Sequence, residues 1–176
     1  MEKKDLKPAG VFKYFEEICQ VPRPSKKEEK MIAYLKAFGA KHNLETKVDE
    51  AGNVLIKKPA TPGKENLQTV VLQSHIDMVC EKNNDVQHDF LTDPIETEID
   101  GEWLKAKGTT LGADNGIGVA TELAILADDS IEHGPLECLF TVDEETGLTG
   151  AFALQEGFMN GDILLNLDSE DEGEIF

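Results

Sequence analysis

The sequence predicts an α/β fold, a three-layer sandwich in which helices pack on a largely parallel or mixed central sheet. In some segments apolar residues repeat with helical spacing, and in others they form short, nearly continuous runs typical of strands buried on both faces. The two kinds of segment alternate, as they do in α/β proteins. The 176 residues, 40% of them hydrophobic, suffice for one domain with its own core.

The first part of the sequence predicts two helices. Apolar residues at helical spacing lie between positions 10 and 20, and two prolines then end the pattern. A second helix is predicted to begin at Ser25, because Ser25 and Glu28 have the spacing of a capping box. Its apolar stripe ends near Gly39.

The remaining sequence predicts strands and helices in alternation. Short β-branched or apolar runs indicate the strands, and a return of helical periodicity indicates the helices. The predicted strands are 53–57, 69–74, 136–142 and 163–168, the last one buried, and the predicted helices are 116–127 and 148–156. Residues 80–107 have a weaker pattern, and we expect a long excursion with a hairpin around Asp100-Gly101.

The charge is strongly negative and unevenly distributed. The net charge is −18, and residues 108–176 contain 16 acidic residues but no lysine or arginine. Phosphate binding needs clustered basic residues, so nucleic acid is excluded as a partner. Ionised carboxylates crowded at partly desolvated strand ends repel one another unless a positive charge lies among them. A bound cation is therefore expected.

Neither a membrane partner nor a disulfide framework is expected. No run of about 18 apolar residues occurs, and no hydrophobic segment follows the first residues, so we expect a cytoplasmic location. The three cysteines are widely spaced and form no Cys-x-x-Cys pair, which argues against disulfides or a thiolate zinc site.

Candidate site residues follow the predicted strands. His75 follows one strand, Glu144 and Glu145 follow another, Asp168 ends a third, and Asp114 lies in a glycine-rich loop before a helix. Active residues in such sheets lie beyond the carboxyl ends of strands, so we expect a single cluster. Carboxylates with an imidazole suit zinc, manganese or cobalt.

Each motif alone also has a structural interpretation. His75, with Asp77 two positions on, could be a hydrogen-bonded structural histidine, although a carboxylate also orients metal-bound imidazoles. Asp114 could cap the following helix, or it could bridge two metal ions. Neighbouring acids at a strand exit point in different directions, so one could bind metal while the other handles a proton. Otherwise they form a surface turn.

Four motifs together resemble one family. The chain is similar to the co-catalytic zinc peptidases of the aminoacylase type, which include the aminoacyl-histidine dipeptidases, also called cytosol non-specific dipeptidases. The similarity runs through essentially the whole sequence, and its motifs are Ser74–Val79, Leu111–Gly118, Thr141–Gly147 and Asn166–Ser169. The resemblance implies two divalent metal ions, with zinc expected first. His75 and Asp168 would hold one ion, Glu145 the other, and Asp114 would bridge them.

The same resemblance implies the chemistry. Glu144 would be the general base in amide hydrolysis, and Asp77 would orient His75. The substrates would be short peptides, chiefly dipeptides and notably Xaa-His. The peptide bond between Asp114 and Asn115 is typically cis in the family.

Two family features have no match in the sequence. A distal histidine near the C-terminus completes the second metal site in the family, and an inserted lid domain contributes substrate contacts and dimerisation. We therefore expect residues 1–176 to be the N-terminal part of the catalytic domain, inactive alone, of a protein that is homodimeric at full length. The alternatives are a related aminoacylase, tripeptidase or carboxypeptidase, and a non-catalytic module that binds metal or peptide.

Overall fold

The computed structural model describes residues 2–168 and shows a mixed five-stranded sheet flanked by helices. The predicted α/β class with a mixed central sheet is confirmed. The helices and strands in chain order are α1 (Ala9–Cys19), α2 (Glu29–Lys41), β1 (Glu45–Val48), β2 (Val54–Lys58), β3 (Val70–His75), β4 (Thr97–Asp100), β5 (Trp103–Ala106), α3 (Ala113–Ala127), β6 (Leu136–Thr141), α4 (Thr149–Ala153) and β7 (Ile163–Asn166). Ser169 of the fourth motif lies outside the described residues.

The order of the strands positions the candidate site. The sheet runs β1-β2-β6-β3-β7, with β2 antiparallel to both β1 and β6, and with β6, β3 and β7 parallel to one another. The carboxyl ends of the three parallel strands therefore share one edge. Strands β4 and β5 form a separate hairpin, which confirms the turn predicted around Asp100-Gly101.

Side chains alternate between two faces of the sheet, as the strand period requires. On one face a continuous core joins the sheet to α1, α2 and α3, and its sheet members include Val54, Ile56, Leu72, Cys138 and Phe140. On the other face, Leu55, Val71 and Leu139 pack against the segment after α4, through Leu154, Phe158 and Met159. Within residues 2–168, no helix is long and apolar enough to cross a bilayer.

The predicted start of the second helix at Ser25 is wrong, because α2 begins at Glu29. Ser25 does not cap the helix; its hydroxyl donates a hydrogen bond to Asp77 Oδ2, 2.7 Å away. Glu28 accepts the backbone N–H of Lys26, whose φ of 65° turns the chain just before the helix. A long-range contact therefore outweighs the local capping pattern.

Three other elements differ from the predictions. The mostly exposed strand β1 was not predicted, because its Glu-Thr-Lys sequence carries no apolar run. Helix α4 is shorter than predicted and ends at Ala153. The prediction that strand 163–168 is buried is wrong, since Ile163 is 40% and Leu164 45% exposed. Strand β7 lies at the sheet edge, where it pairs only with β3 among the described strands.

Helix α3 carries a buried carboxyl group, Glu122, against the sheet. The group faces Ser74 of β3 and Cys138 of β6. Burial raises the pKa of Glu122 well above its usual range, because the low-polarity core disfavours the charged form. Glu122 therefore keeps its proton in the folded chain at pH values where an exposed glutamate is ionised.

Replacing Glu122 with glutamine is expected to make stability less sensitive to rising pH. An unfolded chain releases this proton near pH 4.5, whereas the folded chain retains it. The free energy of unfolding then falls as pH rises, by about 1.4 kcal/mol per pH unit between the two pKa values. Glutamine does not titrate, so Glu122→Gln should gain stability relative to the parent as pH rises above about 5. Urea unfolding measures this effect.

The exposed Glu156→Gln is the matched control for this prediction, and it should follow the pH dependence of the parent. Identical pH dependence of Glu122→Gln and the parent would contradict the expected neutral state of Glu122.

Candidate metal centre

The structure brings the predicted imidazole and carboxylates together at the shared edge of the parallel strands. Around His75 Nε2, Asp114 Oδ1 lies at 3.0 Å, Asp168 Oδ2 at 3.7 Å and Glu144 Oε2 at 3.9 Å. Glu145 lies in the same cluster. These five residues lie close together in space, as the sequence predicts for a single cluster.

The donor atoms form two overlapping groups suited to a metal ion. In one, the ligand atoms of His75, Asp114 and Asp168 all lie within 4.8 Å of one another. In the other, His75 is grouped with Glu144 and Glu145 in the same way. One imidazole with several carboxylates is a donor set that fits zinc, manganese or cobalt. These residues therefore fit a centre for divalent ions.

Asp77 is the buried carboxylate that joins two parts of this cluster. Its Oδ1 lies 3.1 Å from His75 Nδ1 and accepts the backbone N–H of Glu144 at 3.0 Å. Its Oδ2 accepts the N–H of Glu145 at 3.3 Å and the hydroxyl of Ser25 at 2.7 Å. With His75 Nδ1 directed at Asp77, Nε2 is the ring nitrogen that faces the other carboxylates.

A row of polar side chains crosses the sheet just before its carboxyl edge. Asn166 of β7 donates to Gln73 of β3 at 2.9 Å, and Gln73 donates to Thr141 of β6 at 3.2 Å. The Asn166 side chain also accepts the N–H of Asp168 at 2.6 Å. These hydrogen bonds join the three strands just before the positions of His75, the acidic turn and Asp168.

Asp114 does not act as the helix cap that was one interpretation of its motif. The helix start is at Gly112, whose φ of 68° is left-handed, and Asp114 and Asn115 have non-helical backbone angles within α3. The Asp114–Asn115 peptide bond is cis, as the family resemblance implies. The Asp114 side chain is 73% exposed and faces His75.

The electrostatics show an excess of negative charge. Burial, and then repulsion by neighbouring carboxylates, raise the pKa of Glu144, Glu145 and Asp168. Burial by itself would lower the pKa of His75, but Asp77 and Asp114 outweigh it and raise the pKa to about 9. Burial would raise the pKa of Asp77, but His75 and the other donors bring it to about 2. The cluster therefore favours positive charge.

The cluster opens into a cleft of about 850 Å³. Carboxylates from Asp114, Glu144, Glu145 and Asp168 line one part of it. Ile117 and Leu148 provide apolar surface beside them, and both are partly exposed. A cleft with acidic and apolar walls can hold a small molecule next to bound ions.

Sequence reasoning missed four residues that surround the cluster: Arg23, Ser25, Glu28 and Asp143. Their contacts join positions 52 to 115 residues apart, which no local pattern reveals. Arg23 had the one available signal, because it is the sole arginine of the sequence and stands between two prolines.

Comparison with known proteins identifies a family and several relatives of this chain. The model of the peptidase family M20/M25/M40 matches residues 71–172. The chain is 53% identical over 175 residues to the cytosol non-specific dipeptidase of Escherichia coli (strain K12), covering 99% of this chain and 36% of that protein.

Two crystal structures are similar to this fold. Aminoacylhistidine dipeptidase from Vibrio alginolyticus matches with a TM-score of 0.95 and 56% identity, over 98% of this chain and 35% of that one. Aminopeptidase PepT from Bacillus cereus ATCC 10987 matches with a TM-score of 0.78 and 26% identity, over 92% and 43%. The chain spans about a third of the length of its most similar relatives described here. With the family model matching more than half of its residues, the chain belongs to peptidase family M20/M25/M40.

Proposed function

We propose that this chain is the N-terminal part of the catalytic domain of a metal-dependent dipeptidase with broad specificity that includes Xaa-His. The observation that carries the proposal is the convergence of four carboxylates, which line one cleft, around the buried imidazole of His75. The 53% identity to a cytosol non-specific dipeptidase supports the substrate class, and its name supports a cytoplasmic location.

Two divalent ions are the proposed cofactors, with zinc preferred and manganese or cobalt as alternatives. His75 and Asp168 would hold one ion, Glu145 would hold the other, and Asp114 would bridge them. When bound, such ions polarise a carbonyl group and lower the pKa of a water molecule. The raised pKa values of the surrounding carboxylates support this proposal, because a cation would relieve their repulsion.

Glu144 is the proposed general base and then the general acid. It lies at the cleft with its side chain 29% exposed, so it can reach a water molecule there. Burial raises its pKa, which makes it a better proton acceptor than an exposed glutamate. Glu144 would take a proton from the attacking water and pass it to the departing amine. Asp77 would keep His75 in the required orientation.

The relatives are longer than this chain. We propose that their additional length corresponds to the remainder of the catalytic domain and to a lid domain that forms the dimer. The chain covers 36% of the Escherichia coli relative. The exposed apolar side chains Ile163 and Leu164 on edge strand β7 support an incomplete sheet. Residues 1–176 alone are therefore proposed to be inactive.

The similarity to an aminopeptidase, PepT, favours a second candidate, a peptidase with the same metal centre but a different substrate. A polypeptide that is as long as the relatives should hydrolyse Xaa-His dipeptides faster than tripeptides or N-acyl amino acids. The opposite order would favour the second candidate.

Removing the Asp114 carboxylate should weaken metal binding. Two divalent ions placed close together need a shared carboxylate, so Asp114→Ala should retain at most one weakly bound ion per chain. Metal content after dialysis against Zn²⁺, measured by atomic emission, tests this expectation. The exposed Asp85→Ala should keep the parent content. Unchanged zinc content in Asp114→Ala would remove Asp114 from the proposed centre.

Replacing Glu144 with glutamine should abolish turnover while metal is retained. Glutamine keeps the size of the side chain but cannot accept the proton, and general base catalysis contributes about 10²- to 10⁴-fold. The measurement is dipeptide hydrolysis by a polypeptide as long as the relatives, and its metal content is measured in parallel. Glu156→Gln, which is exposed, should behave as the parent. Full hydrolytic activity of Glu144→Gln would remove Glu144 from the role of general base, whereas a parent that binds metal but hydrolyses no dipeptide would support a non-catalytic binding module.

A further inference from the structure

We propose that residues 23–28, between α1 and α2, position the metal-binding side chains without binding metal or substrate themselves. We call these residues the positioning segment, and the inference rests on the proposed function. The segment contacts three of the four stretches that supply the proposed ligands: the end of β3, the loop at Gly112 and the turn after β6.

Arg23 joins the end of β3 to the loop before Asp114. Its side chain donates to the carbonyls of Ile76 at 3.2 Å and Asp77 at 3.1 Å, and to the carbonyl of Gly112 at 2.6 Å. The residue is only 2% exposed. The planar guanidinium presents several donors in a fixed arrangement, so these contacts hold the two stretches at a set separation.

The glycines around Arg23 leave room for its side chain. A Cβ atom at Gly112 would lie 2.6 Å from Arg23 Nη2, and one at Gly116 would lie 2.7 Å from the same nitrogen. The glycine-rich loop that carries Asp114 is thus shaped around a buried guanidinium. This arrangement gives a structural reason for the glycines at positions 112 and 116 on either side of Asp114.

Ser25 completes the hydrogen bonding of Asp77. A carboxylate offers about four acceptor positions, and Asp77 uses them for His75, two backbone N–H groups and the Ser25 hydroxyl. With every position occupied, the Asp77 side chain has one defined orientation. Ser25 therefore fixes the carboxylate that in turn orients His75.

Glu28 fixes the turn that carries Glu144 and Glu145. Its Oε1 accepts the backbone N–H of Asp143 at 3.0 Å, and Asp143 has a left-handed φ of 50°. The Asp143 side chain accepts hydroxyls from Thr146 and Thr149, each at 2.5 Å. Glu28 is 6% exposed and lies behind the turn, away from the residues that line the cleft.

Paired variants of Ser25 and Glu28 test the proposal. Ser25→Ala removes the hydroxyl and Ser25→Thr keeps it; Glu28→Ala removes the acceptor oxygen and Glu28→Gln keeps it. The exposed Lys27→Ala is the control from the same segment. Three measurements are made. Co²⁺ binding is titrated by the visible absorption of the bound ion. Amide hydrogen exchange at residues 143–145 is measured by NMR, and stability is measured by urea unfolding without metal.

Ser25→Ala and Glu28→Ala should weaken Co²⁺ binding by about 10- to 100-fold, the usual effect of losing a group that orients a metal ligand. Glu28→Ala should also speed exchange of the Asp143 N–H by about tenfold, as expected for one lost hydrogen bond. Ser25→Ala removes no acceptor of an N–H, so it should speed exchange at Glu145 by less, through the loosened Asp77 carboxylate that accepts that N–H. Ser25→Thr, Glu28→Gln and Lys27→Ala should remain close to the parent in both measurements.

Three results would overturn the proposal or separate it from the proposed function. Parent-like Co²⁺ affinity in both alanine variants would overturn it, even if their stability falls, because the segment would then serve the fold alone. Unchanged exchange at residues 143–145 would overturn it as well. A parent chain that binds no Co²⁺ would contradict the proposed metal centre itself, and the exchange rates would still decide whether the segment holds the turn.

Discussion

The carboxylate of Asp77 is the group on which the arrangement of the site depends. Burying an ionised carboxylate costs several kcal/mol unless its oxygens are well paired. Asp77 is fully buried, and the donors that satisfy it come from β3, from the turn after β6 and from the segment before α2. These elements must therefore take their native positions together. The low pKa of Asp77, about 2, and the high pKa of His75, about 9, reflect the same mutual stabilisation.

Around Asp77 the fold separates two kinds of acidic group. Asp77, Glu28 and Asp143 form a buried group whose oxygens accept hydrogen bonds from backbone amides and hydroxyls. The carboxylates that face the cleft instead lie near one another and near a single imidazole, and burial and mutual repulsion raise the pKa of several of them. The buried group is thus satisfied by the protein itself, whereas the group at the cleft needs positive charge from outside. The buried carboxylates therefore support the structure of the site, whereas the carboxylates at the cleft are suited to binding ions.

Local sequence patterns predicted the strands whose formation depends on runs of apolar residues. Strands β2, β3 and β6 are rich in apolar residues, and their predicted bounds agree with the structure to within one residue. The family motifs identified His75 and the acidic residues that cluster with it. The sequence could not reveal that Ser25 bonds to Asp77 instead of capping a helix, or that Glu28 holds Asp143, because these contacts join distant parts of the chain. The same limit hid the edge position of β7, since an apolar run looks alike in a central or an edge strand.

The edge position of β7 makes the placement of Asp168 depend on a single strand pairing among the described residues. His75 ends a strand with hydrogen-bonded neighbours on both sides, whereas the strand before Asp168 pairs on one side only among the described residues. Asp168 is held through its own backbone N–H to Asn166, and Asn166 is held by Gln73. A shift of β7 along β3 would therefore move Asp168 relative to His75 and would break the hydrogen bond between Asn166 and Gln73. The separation between Asp168 and the rest of the cluster thus depends on the register of a single strand pair, Val70 to Gln73 of β3 against Ile163 to Asn166 of β7.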